Sequence, residues 1–226
     1  MATGSPQAPG DVYIKQLELG PMANYVYLVG SRSSRQVAVV DPAWEVEKIL
    51  DETRAADLEI TAILVSHHHS DHTNGVKALL ERAPRAKLYV NRLDASSMPG
   101  VEDRAVKVTE GDRIRLGDIE IETLHTPGHT AGSQCFRFGD TLISGDTLFV
   151  RACGRCDVPG GNPEQMYSSL QRLAGLDRRT VVMPGHNYAD RPTSTIEYEL
   201  AHNIFFRMDL RTFKRFVRGP AQVSGR

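Results

Sequence analysis

The sequence predicts a single-domain, layered α/β protein. Its 226 residues show no break in composition, comfortable for one large domain and tight for two. Short runs rich in β-branched and aromatic residues, bounded by Gly or Ser clusters, read as strands. Segments of helical period stand between several of those runs, so helices are expected on the outer faces of a mixed strand layer. With 40% hydrophobic residues the chain can bury a core unaided.

Taken in order, Val12 to Leu19, Asn24 to Val29 and Gln36 to Val40 are expected strands, the third ended by Asp41-Pro42. Val46, Ile49, Leu50 and Leu58 fall on one face, which predicts an amphipathic helix over Ala43 to Ala56. Ile60 to Val65 is a continuous apolar run, as expected of a strand buried on both faces. A helix near Gly75 to Glu81 and a strand Lys87 to Asn91 follow. The middle is strand-rich, with Arg113 to Leu116, Ile119 to Leu124, Ser133 to Phe138 and Thr141 to Ile143 separated by glycines. Pro163 to Leu173 starts as helices start, with Pro and Glu164 in the first turn. Thr180 to Met183 reads as a last buried strand, and the chain from Thr193 onward reads as helical and increasingly basic. We therefore expect a leader at 1–10, a catalytic domain at 11–190 and a helical tail at 191–226 packing on it.

Composition excludes more than it names. Twenty-seven basic and 28 acidic residues are well mixed, which argues against a nucleic-acid or membrane surface as partner. The apolar runs are too short to span a bilayer. Met1 to Gly10 has neither the basic start nor the apolar stretch of a signal peptide. Three cysteines, Cys135, Cys153 and Cys156, are a small and odd number that argues against a disulfide framework and points to a reducing cytoplasm.

The chemistry sits in the histidines. Four of the eight lie within Ser66-His67-His68-His69-Ser70-Asp71-His72, straight after the buried strand. Alternation would send His67 and His69 one way and His68 another if the strand continued, and a turn could return Asp71 and His72 to the same spot. Imidazoles and carboxylates converging there suit zinc, manganese or iron. Three later segments repeat the design of a strand running into a Gly-flanked ligand: Thr126-Pro127-Gly128-His129-Thr130, Ser144-Gly145-Asp146-Thr147 and Pro184-Gly185-His186-Asn187. Five histidines and two aspartates are enough for two metal ions.

These elements, in this order from Asp41 to His186, resemble the metallo-β-lactamase-fold superfamily. The resemblance implies a four-layer αββα sandwich. It implies that His67, His69 and His129 bind one metal, that Asp71, His72 and His186 bind a second, and that Asp146 bridges them. Asp41 would orient a ligand histidine from behind. His68, His125 and His202 match no ligand position. Two divalent ions, zinc with iron or manganese as alternatives, would hold a hydroxide for attack on a carbonyl carbon. Asp71 and Asp146 are then the acidic residues of the catalytic centre. A thiolate leaves readily because its conjugate acid has a pKa near 8 to 9, so a small thioester or ester is the expected substrate.

Leu148 to Asp157 is similar to the loop of hydroxyacylglutathione hydrolases and of the related persulfide dioxygenases. That likeness implies that Arg155 and Tyr188 contact a glutathione moiety, with Arg155 suited to a carboxylate. Asp157 and Thr193-Ser194-Thr195 lean toward the dioxygenases, which use one iron. The longer C-terminal part of the glutathione hydrolases has no match here; Lys214, Arg215 and Arg218 could substitute. A lactone or an acyl carrier thioester is a further alternative substrate. Cys153 and Cys156 form a Cys-x-x-Cys that reads either as part of the substrate loop or as a redox pair. Phe205, Phe206, Phe213 and Phe216 read as tail packing, a pocket wall or a dimer contact, and the chain as a monomer or homodimer.

Overall fold

The computed structural model describes residues 12–98 and 100–217. The expected leader and Arg218 lie outside them.

Three strands open the chain: β1 (Val12–Leu19), β2 (Asn24–Ser31) and β3 (Gln36–Val40). They pair antiparallel, and β2, central among them, is buried along its whole length. Helix α1 (Val46–Ala55) buries Ile49, Leu50 and Thr53 and starts three residues later than its period suggests, because Asp41 to Glu45 is held as a loop. Then β4 (Glu59–Leu64), the one-turn α2 (Ser70–Thr73), α3 (Val76–Arg82), β5 (Lys87–Asn91) and β6 (Ala105–Val108) complete the first sheet. Its order is β1-β2-β3-β4-β5-β6, parallel from β3 onward.

The second sheet takes β7 (Arg113–Leu116), β8 (Ile119–His125), β9 (Gln134–Phe138), β10 (Thr141–Gly145), β13 (Val181–Pro184) and β14 (Ser194–Thr195) in the order β14-β13-β10-β9-β8-β7. Between β10 and β13 lie a small hairpin, β11 (Leu148–Phe149) and β12 (Ala152–Cys153), and helix α4 (Pro163–Ala174). The Asn162 side chain caps α4 by accepting from the Gln165 amide. Two further helices, α5 (Ile196–His202) and α6 (Leu210–Val217), close the described chain.

Three apolar clusters define the layers. One joins the outer face of the first sheet to α1 and α3 through Val39, Ile49, Ile63, Leu79 and Leu88. A second fills the space between the sheets with Tyr27, Val29, Ile121, Phe136 and Ile143. The third joins the second sheet to α4, α5 and α6 through Leu142, Met166, Leu170, Ile196 and Phe213. The result is the helix-sheet-sheet-helix sandwich expected for a single domain. Phe206 and Phe213 are core residues of the last layer, whereas Phe216 is exposed. Among the described residues no helix is long and apolar enough to cross a membrane.

Phe136 is wholly buried on β9, facing the first sheet. Truncating it leaves a cavity that two sheets cannot close without sliding, so Phe136→Ala is expected to cost roughly 3–5 kcal/mol. Denaturant unfolding of the two proteins measures this directly; a loss below about 1 kcal/mol would show that the sheets collapse onto the gap.

The sheets are also stitched along one rim. The Tyr27 hydroxyl donates to the Pro184 carbonyl (2.6 Å), and the Tyr25 amide to the Gly185 carbonyl (2.8 Å). The Gln134 amide donates to the Ser66 carbonyl (2.9 Å). At this rim β3, β4, β5, β8, β10 and β13 all deliver their C-terminal ends.

Candidate metal centre

Each of those strand ends carries a polar residue of the site. β3 ends in Asp41, which adopts left-handed backbone (φ 51°), a conformation costing on the order of 1 kcal/mol for a non-glycine residue. Its buried carboxylate is fully used. Oδ1 accepts from the Ser66 amide (2.7 Å), and Oδ2 from the Ser66 hydroxyl (2.6 Å) and from His72 Nδ1 (3.1 Å). The contact with His72 is the one through which Asp41 would orient that ring.

β4 stops at Leu64, so strand alternation is not what gathers the histidines. Residues 65–69 run as a loop and α2 follows, placing Asp71 and His72 on a helical turn. His67 nevertheless packs against His69, His72 and His129, with ring centroids 4.7, 4.2 and 4.8 Å away.

All seven expected ligands meet at one place. Their donor atoms form three overlapping groups, each within 4.8 Å: His67, His69 and His129; His67, His72 and Asp146; Asp71, His72 and His186. Asp146, just beyond β10, lies between the first and last groups. Its Oδ1 is 3.4 Å from His72 Nε2, and its Oδ2 is 3.5 Å from both His129 Nε2 and His186 Nε2.

The residues fit divalent cations. The outward nitrogens of three ligand rings have acceptors: His72 Nδ1 has Asp41, His129 Nδ1 the Arg155 carbonyl (2.7 Å) and His186 Nδ1 the Met22 carbonyl (3.0 Å). With Nδ1 donating, the inward Nε2 of each ring in its neutral form presents a lone pair. Those lone pairs face other ligand nitrogens, His129 Nε2 at 2.9 Å from His69 Nδ1 and His72 Nε2 at 3.1 Å from His186 Nε2. His67 Nε2 and Asp146 Oδ1 are buried with no hydrogen-bond partner. Orphaned acceptors aimed at one point call for a cation.

Charge supports the same reading. Burial holds His67 well below the ordinary histidine range and brings His69 down to about 4, so both are neutral imidazoles. Burial would raise the carboxyls of Asp71 and Asp146, but the neighbouring His186 and His72 hold both well below the carboxylate range. Conversely, burial disfavours charge on His186, yet Asp146 and Asp71 lift it to about 9. Two buried carboxylates thus demand positive charge, which protons or divalent cations can supply in competition.

At the mouth, the Tyr188 ring stacks on His186 (4.5 Å between centroids, 9° between planes) and stays 43% exposed. Phe149 packs edge-on against both rings. Arg155 reaches the centre through its carbonyl on His129, whereas its exposed guanidinium forks onto Asp157 (2.9 and 3.0 Å). Lys214 pairs with Glu164 on α4, and Arg215 is exposed. Cys153 and Cys156 are buried free thiols; burial pushes the Cys153 thiol well up and that of Cys156 to about 12. A thiolate-based redox role for this pair is not supported. His125 and His202 bond to the carbonyls of Ala131 and Tyr198, away from the centre.

Two contributors escape the pattern-based reading. Asn24 donates to Asp71 Oδ2 (3.0 Å) and accepts from the Trp44 indole. Asp94, three residues beyond β5, accepts from the amide of His68. Its sequence signal was present: like Asp41, it is an acidic residue just past a buried parallel strand.

Comparison with known proteins agrees with this geometry. The chain is 32% identical over 188 residues to the probable polyketide biosynthesis zinc-dependent hydrolase BaeB of Bacillus velezensis, covering 83% of each chain. It is 40% identical over 165 residues to hydroxyacylglutathione hydrolase of Aeromonas hydrophila, covering 73% of this chain and 61% of that protein, less than two thirds of its length. Among solved structures, that of ETHE1 from Myxococcus xanthus superposes with a TM-score of 0.84 at 33% identity, over 91% of this chain and 90% of that one. The family model for the metallo-beta-lactamase superfamily matches residues 19–186, spanning every strand end that feeds the centre, and the chain belongs to that superfamily.

Proposed function

We propose that the protein is a two-metal hydrolase of small thioesters, with related esters as lesser substrates. The observation that carries this reading is the pair of adjoining donor groups, one of His67, His69 and His129, the other of Asp71, His72 and His186, with Asp146 facing both. When bound, two divalent cations, zinc in the first instance, supply an activated water at neutral pH and stabilise charge developing on a carbonyl oxygen. The chain's own residues do the rest. Asp41 and the carbonyls of Met22 and Arg155 hold three imidazoles in the tautomer with Nδ1–H outward and the Nε2 lone pair inward. Tyr188 and Phe149 wall the mouth with aromatic surface against which a substrate can lie. A thiolate leaving group needs little protonation, which suits a centre whose seven polar residues are occupied as ligands. Similarity to a zinc-dependent hydrolase over most of both chains and to hydroxyacylglutathione hydrolases supports hydrolysis.

Glutathione recognition would need Arg155 to exchange Asp157 for a substrate carboxylate, with Tyr188 alongside. A second reading, an iron-dependent persulfide dioxygenase, is favoured by the likeness to ETHE1 over nine-tenths of both chains. The two readings separate in one assay panel. Purified protein is expected to hold two divalent cations and to cleave S-lactoylglutathione or simple acyl thioesters, with activity lost on chelation and restored by Zn2+. One bound iron together with oxygen uptake on glutathione persulfide would establish the dioxygenase instead.

A further inference from the structure

The structure assigns Asp94 as a positioning residue for the pocket of His67, His69 and His129, the counterpart of Asp41 at the pocket of Asp71, His72 and His186. The assignment rests on the two-cation reading above.

Asp94 is 1% exposed and touches no ligand atom. Its Oδ2 accepts from the His68 amide (3.0 Å) and the Thr130 hydroxyl (2.8 Å), and its Oδ1 from the Gly132 amide (2.8 Å). His68 Nδ1 lies 2.9 Å from the same Oδ2. These donors come from two segments. His68 stands between the ligands His67 and His69, and Thr130 directly follows the ligand His129. One buried carboxylate therefore fixes the distance between the two loops that make this pocket.

The parallel with Asp41 is close. Asp41 takes the amide of Ser66, and Asp94 takes the amide of His68, so His67 sits between two clamped peptides. A Cβ on Gly132 would collide with the Asp94 carboxylate, so the second loop is seated directly on it. Here the charge matters as well as the shape. In Asp94→Asn one oxygen becomes an NH2 donor of nearly the same size. If the amide oxygen stays on Gly132, the NH2 faces the His68 N–H, donor to donor. Flipping the amide moves the conflict to Gly132. The Thr130 hydroxyl can rotate to accept, but a backbone N–H cannot, so one loop always loses its anchor.

The test uses Zn2+ affinity, measured by chelator competition in two backgrounds. His186→Ala leaves the His67/His69/His129 pocket, and His129→Ala leaves the other. Asp94→Asn is expected to weaken Zn2+ binding about 10–100-fold in the first background, the range for loss of an outer partner of metal ligands, and less than about threefold in the second. Asp41→Asn, which loosens His72 directly and His67 through Ser66, should weaken Zn2+ binding in both backgrounds and so lack the selectivity of Asp94→Asn. Circular dichroism of the metal-free proteins checks folding; should Asp94→Asn fail to fold, Thr130→Val removes a single donor and should give the same selectivity at smaller size. Equal weakening by Asp94→Asn in both backgrounds would overturn the assignment while leaving the two-cation reading intact. A wild-type chain that binds only one Zn2+ would overturn that reading, and the assignment with it.

Discussion

Replacing Asp146 with alanine is expected to abolish activity and to deplete both cations. Asp146 is the carboxylate whose oxygens approach His72, His129 and His186, ligands drawn from both pockets. Without it the His67, His69 and His129 pocket keeps three imidazoles and no anion, and the other pocket keeps Asp71 as its one anion beside His72 and His186. Each cation loses charge neutralisation and one donor together. A drop in kcat/KM of at least about a thousandfold follows, equivalent to ~4 kcal/mol of transition-state stabilisation. Metal analysis after gel filtration gives the independent reading, with content expected below one ion per chain. An Asp146→Ala protein that retains two ions would show that each pocket is self-sufficient and that Asp146 is not shared.

How far this centre could be read from sequence depends on what each residue responds to. His67, His69, Asp71, His72, His129, Asp146 and His186 were legible because metal chemistry demands particular side chains, and five of the chain's eight histidines stand at these positions. β1, β3, β5 and β7 were legible end to end because each is a short run of adjacent or alternating apolar residues between turn residues. β6 was not: it is an edge strand of four residues in which only Val108 is buried, so neither alternation nor a solid apolar run marks it. The β11–β12 hairpin has two residues per strand, and tertiary packing alone defines it. Asp94 was missed for a different reason. Its place just past β5 hints at the strand-end rim, but its partners His68 and Thr130 lie 26 and 36 residues away and the local sequence does not show which groups it will hold. The Arg155 side chain shows the opposite case, since its partner Asp157 is two residues on and the likeness to glutathione-binding loops drew attention away from it. Convergence of the histidines was foreseen, but the cause differs, being the clamping of a loop by buried carboxylates rather than strand alternation.

Gly185 sets the second large effect, because the peptide before His186 has no freedom to move. Its amide donates to the Gly145 carbonyl (2.9 Å) and its carbonyl accepts from the Tyr25 amide (2.8 Å), so it is held by both sheets. A Cβ placed there would collide with Asp146 Oδ1 and approach His72 Cε1 and the Gly145 carbonyl carbon at 3.0 Å. The backbone cannot yield without breaking the stitch between the sheets, so the Asp146 carboxylate must turn away from the pockets. Gly185→Ala is therefore expected to fold, to bind metal poorly and to lose about a hundredfold or more in kcat/KM, since misplacement of reacting groups by about 1 Å has that cost. Gly139 supplies the contrast. It turns the β9–β10 hairpin at φ 54° with open space around it. Gly139→Ala should cost about 1 kcal/mol through its left-handed backbone and leave metal content and kcat/KM unchanged. Thermal unfolding, metal analysis and thioester turnover on the two variants separate strain in the fold from obstruction of the centre. If Gly185→Ala kept two ions and full turnover, Asp146 would have to tolerate a rotamer that still reaches both pockets.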